Sequence, residues 1–276
     1  MKLCFNSTTL RGFPVQEAMR LIHSHGYAGV ELTLNDAHIH PLRYTRDEAR
    51  ALRGLCEDLG LEIAVLAAGG PALLGETDYE PSLISPDAAG RQRRLDVIRR
   101  TIALAHELGC PLVNINSGRR APEVSEEQAW VYLLDGLLHL RGSLGDGVRM
   151  VLEQEPGFFV GTTEKAAEVI DALNCSEIRM CLDLGHVFCS QNNCYRAIEQ
   201  ALRVTEHIHI EDIKGGVHHH EIPGEGDMDF TRIGRLLKQA GYGGWVSVEL
   251  HHHDQMWQRA LDESRDYLQA CWSNLS

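Results

Sequence analysis

The sequence has no long apolar run and few basic residues for its length. No segment approaches the ~20 consecutive apolar residues that cross a bilayer, so a membrane-spanning protein is excluded. Lysine and arginine number 26 against 39 aspartates and glutamates, which gives a net charge of −13, and they form no basic stripe. Neither nucleic acid nor an anionic membrane is therefore an expected partner.

The sequence also lacks a signal-peptide pattern, a Cys-x-x-Cys pair and a glycine-rich phosphate loop. Residues 1–5 lead straight into a strand pattern, without an apolar stretch and a small-residue cleavage site. We therefore expect a cytoplasmic protein whose eight cysteines are buried free thiols. The absence of G-x-G-x-x-G and Walker loops argues against an open, doubly wound nucleotide-binding sheet.

The sequence does contain a regular alternation of short β-rich runs and helical patterns. Such runs, apolar on both faces and separated by helices, are typical of a parallel sheet. The predicted strands are Lys2–Asn6, Gly29–Leu32, Glu62–Leu66, Leu112–Ile115, Arg149–Glu153, Arg179–Asp183, His207–Ile210 and Trp245–Glu249. Glycines 26, 109 and 241 follow apolar helical stripes as stops, and Asp229 is a predicted N-cap. Eight such units in 276 residues predict an α/β fold with a single domain over residues 1–276, a (β/α)8 TIM barrel.

Four consecutive predicted strands end in polar residues that could bind a metal ion. They are Glu153, Asp183, His209 and Glu249, each about one β/α unit apart. Catalytic groups of β/α barrels lie at the C-terminal ends of the strands. Strand neighbours alternate between barrel interior and helix layer. Since the alternate residues, such as Leu152 and Leu182, are apolar and face the helices, these four side chains face inward.

Three carboxylates that converge inside a barrel repel one another unless a positive charge lies among them. A divalent cation meets this need, and a mixed carboxylate and imidazole set suits Mn²⁺, Mg²⁺, Co²⁺ or Zn²⁺. Two ligand assignments stay open, because Glu155 could replace Glu153 and His207 could replace His209. His186, in Asp-x-x-His after Asp183, could reach the substrate or a second metal ion.

The long loop after the seventh strand is a further candidate for function. It carries the histidine triplet 218–220, and a second triplet, 251–253, follows the eighth strand. We expect most of these six side chains to be exposed and keep His220 as the candidate. Arg119 and Arg120, after the fourth strand, could meet a phosphate or carboxylate, although exposed arginines are usually solvated.

At these residues the sequence resembles the xylose-isomerase-like barrels, also called sugar phosphate isomerases/epimerases, which include AP endonucleases with three zinc ions. The resemblance covers nearly the whole chain. It rests on Leu152-Glu153, on Asp183-Leu184-Gly185-His186, on residues 207–212 (His-Ile-His-Ile-Glu-Asp), on residues 224–230 and on residues 241–249. It implies that Glu153, Asp183, His209 and Glu249 ligate one metal ion and that Glu153 and Glu249 are the acid/base pair. It also implies that His186 holds substrate hydroxyls, for which Glu155 and His220 are further candidates.

The sequence departs from the family pattern at Gln154, and no phosphate clamp is recognisable. The leading hypothesis is an isomerase or epimerase that moves a proton alpha to the carbonyl of a ketose or related polyol ketone. A metal-dependent dehydratase acting on a keto-polyol or keto-cyclitol is the first alternative. A zinc nuclease of the AP endonuclease type and a barrel that only binds a ligand are the others. Similar barrels are commonly dimers or tetramers, so we also expect a homo-oligomer with a carbohydrate-like small molecule as its substrate.

Overall fold

The structure, a computed structural model, describes residues 1–68, 73–75, 79–273 and 275. In chain order the strands are β1 (Lys2–Asn6), β2 (Gly29–Thr33), β3 (Glu62–Ala67), β4 (Leu112–Asn116), β5 (Arg149–Glu153), β6 (Ile178–Asp183), β7 (Thr205–Ile210), β8 (Asp212–Lys214), β9 (Val217–Glu221) and β10 (Trp245–Val248). All but β8 and β9 pair in parallel and close into a barrel, in which β10 lies between β1 and β7. The predicted TIM barrel is confirmed.

The helices alternate with the strands, and the three for which the sequence indicated a stop end one or two residues before Gly26, Gly109 and Gly241. They are α1 (Val15–Ser24), α2 (Arg46–Leu59), α3 (Ala88–Leu108), α4 (Glu126–Arg141), α5 (Thr163–Leu173), α6 (Leu184–Ser190), α7 (Cys194–Ala201), α8 (Phe230–Gln239) and α9 (Trp257–Trp272). The side chain of Asp229 accepts from the backbone N–H of Arg232, which confirms the predicted N-cap. Gly109 ends α3 with a φ of 70°, a left-handed conformation that glycine adopts without steric cost.

The apolar residues form two separate layers, as the strand alternation predicted. The larger core lies between the barrel and the helices and includes Leu152, Leu182 and Ile208. The smaller cluster fills the barrel interior and includes Val151, Cys181 and Trp245. Residues of the two clusters alternate along the strands. Polar residues at the strand ends that continue the alternation of the smaller cluster therefore point into the barrel.

Two features of the sheet differ from the prediction. Glu249 lies one residue beyond β10, although its backbone N–H still donates to the carbonyl of Ile210 at 3.1 Å. The antiparallel hairpin of β8 and β9 was not predicted, since the sequence indicated only a loop. Its strands are short, three residues in β8 and five in β9, and β9 is mostly histidine, so they carry no apolar alternation that a sequence pattern could detect.

Two further expectations concern membranes and cysteines. Within the described residues, no helix combines the length and the apolar character that a bilayer span requires. All eight cysteines are free, and four of them, Cys4, Cys56, Cys110 and Cys181, are buried. The cysteines are thus free as expected, but the other four are only partly buried, which corrects the expectation that the thiols are buried.

Candidate active site

The four predicted metal ligands meet at the C-terminal end of the barrel. Nδ1 of His209 lies 3.0 Å from Oε1 of Glu153 and 3.2 Å from Oε2 of Glu249. The same nitrogen lies 3.8 Å from Oδ2 of Asp183. One donor atom from each of the four side chains lies within 4.8 Å of the others. The structure thus brings three carboxylates and one imidazole around a common centre.

Charge and hydrogen bonding show that this centre fits a divalent cation. Asp183 is fully buried, and its Oδ2 has no hydrogen-bond partner among the described residues. Burial alone would raise the pKa of Asp183, but the charges of His186 and His209 lower it well below its usual value. The site therefore holds the Asp183 carboxylate ionised in a buried position, which suits oxygen and imidazole ligation of a cation such as Mn²⁺ or Zn²⁺.

Glu31, on β2, orients the imidazole of His209. Its fully buried carboxylate accepts from Nε2 of His209 and from Nε2 of His207, each at 2.9 Å. Burial alone would raise the pKa of Glu31, but the two imidazoles lower it to about 2. With Nε2 of His209 bonded to Glu31, Nδ1 is left to face the three carboxylates. This geometry favours His209 over His207 as the ligand.

Glu31 was not among the site residues predicted from the sequence. A signal was present, because Gly26-Tyr27-Ala28-Gly29-Val30-Glu31-Leu32 resembles the stretch that leads from Gly241 to Glu249 and Leu250. Both stretches run from a helix stop through a turn and a strand to a glutamate. This internal similarity could have indicated that Glu31 faces inward as Glu249 does. It could not have indicated that Glu31 contacts two histidines.

Two asparagines hold the glutamates that form the predicted acid/base pair. Nδ2 of Asn114, on β4, donates to Oε2 of Glu153 at 2.8 Å. Nδ2 of Asn6, at the end of β1, donates to Oε1 of Glu249 at 2.9 Å. Each glutamate therefore has one oxygen near His209 and the other on an amide. Neither asparagine was singled out from the sequence.

His186 and Glu155 lie beside the centre. Nδ1 of His186 donates to the carbonyl of Gln154 at 2.6 Å, and its Nε2 lies 3.7 Å from both Glu155 and Asp183. Burial opposes protonation of His186, but the charges of Asp183 and Glu155 raise its pKa to about 9. Burial raises the pKa of Glu155 to about 7. Glu155 thus lies against His186, whereas Glu153 lies against His209.

Asp212 accepts hydrogen bonds from the loop that follows the β8 and β9 hairpin, residues 222–228. The carboxylate of Asp212 accepts from the backbone N–H groups of Ile213, Gly224, Gly226 and Met228, at 2.8 to 3.1 Å. A Cβ on Gly226 would lie 2.4 Å from Oδ1 of Asp212, so only glycine fits there. These bonds explain the Gly-Glu-Gly pattern and hold the loop against the β8 and β9 hairpin.

The hairpin places histidines over the site, which corrects the expectation that most of the two triplets are exposed. Of the six, only His219 and His252 are exposed, and these two stack at 4.9 Å. The other face of β9 carries His218 and His220 inward, because residues two apart in a strand share a face. Ring centroids of His186 and His218 lie 4.6 Å apart, those of His218 and His220 4.2 Å apart, and those of His220 and His251 4.4 Å apart.

These side chains line one cavity of about 570 Å³, a volume that suits a small ligand. Its lining includes the proposed acid/base pair and all three predicted substrate-binding residues: Glu153, Glu249, Glu155, His186 and His220. Arg11 is the one lysine or arginine among the described lining residues. Arg119 and Arg120 lie outside the cavity, where Arg120 donates to the carbonyl of Val124 at 2.6 Å and the Arg119 guanidinium lies 5.0 Å from the ring centre of Phe158.

Comparisons with known proteins agree with this architecture. The L-ribulose-5-phosphate 3-epimerase UlaE of Shigella flexneri serotype 5b is 22% identical over 259 residues, which cover 92% of this chain and 87% of that protein. The crystal structure of a D-tagatose 3-epimerase-like protein superposes with a TM-score of 0.84 at 21% identity, covering 100% of this chain and 98% of the other. The structure of IOLI protein with a binding zinc atom superposes with a TM-score of 0.82 at 21% identity, covering 100% and 99%.

A family described as xylose isomerase-like TIM barrel matches residues 19–271, which is most of the chain. The match includes the four residues around the centre as well as Glu31, His186 and the β8 and β9 hairpin. Together with the closed barrel and the similarity to the UlaE protein, it shows that this chain belongs to the xylose isomerase-like TIM barrel family.

Proposed function

We propose that this protein is a divalent-metal-dependent epimerase or isomerase of a ketose or related polyol ketone. It moves a proton alpha to the carbonyl through an enediolate, with Glu153 and Glu249 as the acid/base pair. The observation that carries the proposal is that these two glutamates approach one centre from the ends of separate strands, β5 for Glu153 and the residue after β10 for Glu249, and line the same cavity. The relative named for L-ribulose 5-phosphate and the neighbour named for D-tagatose support a sugar substrate.

Glu153, Asp183, His209 and Glu249 would hold one cation, Mn²⁺, Mg²⁺, Co²⁺ or Zn²⁺. Bound there, the cation would polarise the carbonyl and the neighbouring hydroxyl. This would acidify the C–H of the carbon that carries the hydroxyl and would stabilise the enediolate. One glutamate removes that proton from carbon, and the C–H electron pair becomes the C=C bond of the enediolate. For epimerisation, the other glutamate protonates the same carbon from the opposite face. For isomerisation of a ketose, the proton leaves C1 and a proton is returned to C2, the former carbonyl carbon.

The residues beside the centre bind the rest of the substrate. Nε2 of His186 faces the cavity because Nδ1 is bonded to Gln154, so the imidazole can donate to a substrate hydroxyl. Glu155 and His220 line the same cavity and present further polar atoms to hydroxyl groups. Closely spaced donors and acceptors of this kind suit a polyhydroxylated ligand.

A dehydratase is the second candidate, favoured by Glu155. Burial raises the pKa of this carboxyl to about 7, so near neutral pH it can supply a proton to a departing β-hydroxyl. A nuclease is disfavoured, because the chain has a net charge of −13 and its cavity has a single described arginine. A homo-oligomer and a cytoplasmic location stay predictions.

The test is hydrogen exchange in deuterated water with Mn²⁺-loaded protein. D-fructose, D-tagatose, L-ribulose, L-ribulose 5-phosphate and a keto-inositol are incubated separately and followed by NMR and mass spectrometry. Loss of the proton alpha to the carbonyl, with a new epimer or aldose of the same mass, supports the proposal. Loss of water supports the dehydratase instead. Absence of exchange with every compound, in protein shown to bind Mn²⁺, contradicts the proposal.

A further inference from the structure

The two candidate acid/base glutamates have closely matched surroundings. Oε1 of Glu153 lies 3.0 Å from Nδ1 of His209, and Oε2 accepts from Asn114 at 2.8 Å. Oε2 of Glu249 lies 3.2 Å from the same nitrogen, and Oε1 accepts from Asn6 at 2.9 Å. Each carboxylate is therefore divided between the centre and an amide, with the same donor type and nearly the same distances. The surroundings differ in one respect, since Oε1 of Glu249 also lies 3.6 Å from Nε2 of His251.

The strand arrangement produces this match. Asn114 lies on β4 next to the strand that carries Glu153, and it is two residues before Asn116, the register partner of Glu153. Phe5 pairs with Val248 in the sheet. The residues that follow this pair, Asn6 at the end of β1 and Glu249 just after β10, therefore lie side by side. Each amide thus reaches its glutamate from the neighbouring strand, on the side of the carboxylate away from β6 and β7.

Both asparagines are buried, and Asn6 is also anchored through its side-chain oxygen. Asn6 and Asn114 are buried, with exposed fractions of 0% and 2%. The Oδ1 of Asn6 accepts from the backbone N–H of Thr8 at 2.9 Å and from the hydroxyl of Thr33, which turns Nδ2 toward Glu249. In Asn114 the amide nitrogen Nδ2 makes the hydrogen bond to Glu153, and Oδ1 has no partner among the described residues. Both amides therefore present N–H rather than C=O to a glutamate.

We propose that Asn6 and Asn114 are a matched pair of positioning residues, one for each face of the substrate. Each keeps one glutamate oxygen directed at the cation centre and the other directed at the substrate carbon. At Glu153 the amide occupies one of the two lone-pair directions of the second oxygen, and the other direction remains for the proton of the substrate. At Glu249 the second oxygen also has Nε2 of His251 at 3.6 Å, so the substrate must approach beside this imidazole. This inference rests on the proposed epimerase function for its kinetic part, but not for its geometric part.

The geometric part is tested on Mn²⁺-loaded crystals of the wild type, Asn6→Ala and Asn114→Ala. In the wild type we expect each glutamate to contact Mn²⁺ through one oxygen and to accept the amide N–H through the other. In Asn114→Ala we expect Glu153 alone to rotate or to bind through both oxygens, and in Asn6→Ala we expect the same of Glu249 alone. Unchanged carboxylates in both variants would overturn the inference, even if no ketose is a substrate.

The kinetic part uses whichever epimer pair the exchange assay identifies, for example D-fructose and D-psicose. We expect each variant to lose about 10- to 100-fold in kcat/KM, and the equilibrium constant requires equal losses in both directions. In Asn114→Ala the substrate deuterium isotope effect should grow in the direction in which Glu153 removes the proton. In the opposite direction, where Glu153 returns the proton, the solvent isotope effect of Asn114→Ala should grow. Asn6→Ala should show the mirror image, with the two directions exchanged, because Asn6 contacts Glu249.

A structural defect would not produce this mirror image. Asn192→Ala, an exposed asparagine outside the cavity, is the control of the same residue type and should match the wild type. If both variants change the isotope effects in the same direction, the two asparagines do not serve separate faces and the inference is wrong. If the wild type exchanges no ketose proton, the proposed function fails, and the crystals alone decide the role of the asparagines.

Discussion

Glu31 and His209 lie 178 residues apart in the sequence, yet Oε1 of Glu31 is 2.9 Å from Nε2 of His209 at the centre of the barrel. The same carboxylate also accepts from His207. The consequence is that His209 presents Nδ1, rather than Nε2, to the three carboxylates. A residue of β2 thus sets the direction of the imidazole that is the candidate nitrogen ligand on β7.

We expect Glu31→Gln to weaken Mn²⁺ binding by about 10- to 100-fold, because partners that orient metal ligands contribute at this level. A glutamine offers one acceptor where two imidazole N–H groups converge, so one N–H is left without a partner. Calorimetric titration with Mn²⁺ measures the effect. Glu62→Gln, an exposed glutamate on the next strand that pairs with Lys2, is the control and should bind as the wild type does. Equal affinity in the two variants would contradict the role of Glu31.

Removal of the cation should lower the stability of the protein. A ligand at 100 times its Kd stabilises a native state by about 2.7 kcal/mol, so Mn²⁺ at that level should raise the melting temperature of chelated protein. Differential scanning calorimetry with and without Mn²⁺ measures the increment. Asp183→Asn removes a charge from a fully buried candidate ligand and should abolish the increment. A full increment in this variant would exclude Asp183 as a ligand.

Substitution of the proposed acid/base pair should stop proton transfer. Glu153→Gln and Glu249→Gln should each reduce turnover on an identified ketose by about 10²- to 10⁴-fold, the usual contribution of a positioned acid or base. Glu155→Gln should raise KM more than it lowers kcat, because this residue is assigned to substrate binding. Steady-state kinetics on Mn²⁺-saturated protein separates the two effects. Full turnover by both of the first two variants would refute the acid/base assignment.

Gly185 should tolerate no side chain. A Cβ there would lie 1.9 Å from Oε1 of the fully buried Glu211, so the carboxylate or the start of α6 must move. We expect Gly185→Ala to lower the free energy of unfolding by about 1 to 3 kcal/mol, as overpacking usually does. Gly54→Ala, in α2 with open space around it, should be neutral or stabilising. Urea denaturation of both variants is the measurement, and equal stabilities would show that Glu211 relaxes freely.

His38 should contribute to acid sensitivity. It is buried, with its imidazole nitrogens 3.2 Å from the Ser7 hydroxyl and from the Leu10 carbonyl, and burial lowers its pKa below 6.5. The unfolded chain therefore binds a proton more readily than the folded one, so stability is present above about pH 6.5 and is lost as pH falls below it. The loss for one such group is at most ~1.4 kcal/mol per pH unit.

Urea denaturation of the wild type and His38→Gln at pH 7.5 and 5.5 tests this directly. The variant should be less stable at pH 7.5, and the difference between the two proteins should shrink at pH 5.5. His23→Gln is the control, because that histidine is exposed on α1 and should leave the pH dependence unchanged. A constant difference between wild type and His38→Gln would show that His38 does not titrate differently on folding.

Much of the site could be predicted from local pattern. Strand alternation and the C-terminal ends of the strands were sufficient to place Glu153, Asp183, His209 and Glu249 on one inward face. The histidine triplets were misjudged, because the direction of His218 and His220 depends on a hairpin that Asp212 holds through four backbone N–H groups. No local pattern predicts which side of such a hairpin faces the barrel.

The sequence by itself determined the barrel and the four residues that meet in it, because strand period and β/α spacing are properties of neighbouring residues. Only the tertiary structure decided which atoms of those residues face the centre. Glu31 is 178 residues from His209, and Asn6 is 243 residues from Glu249. These hydrogen bonds exist only once the barrel closes and brings β1 and β2 beside strands from the far end of the chain.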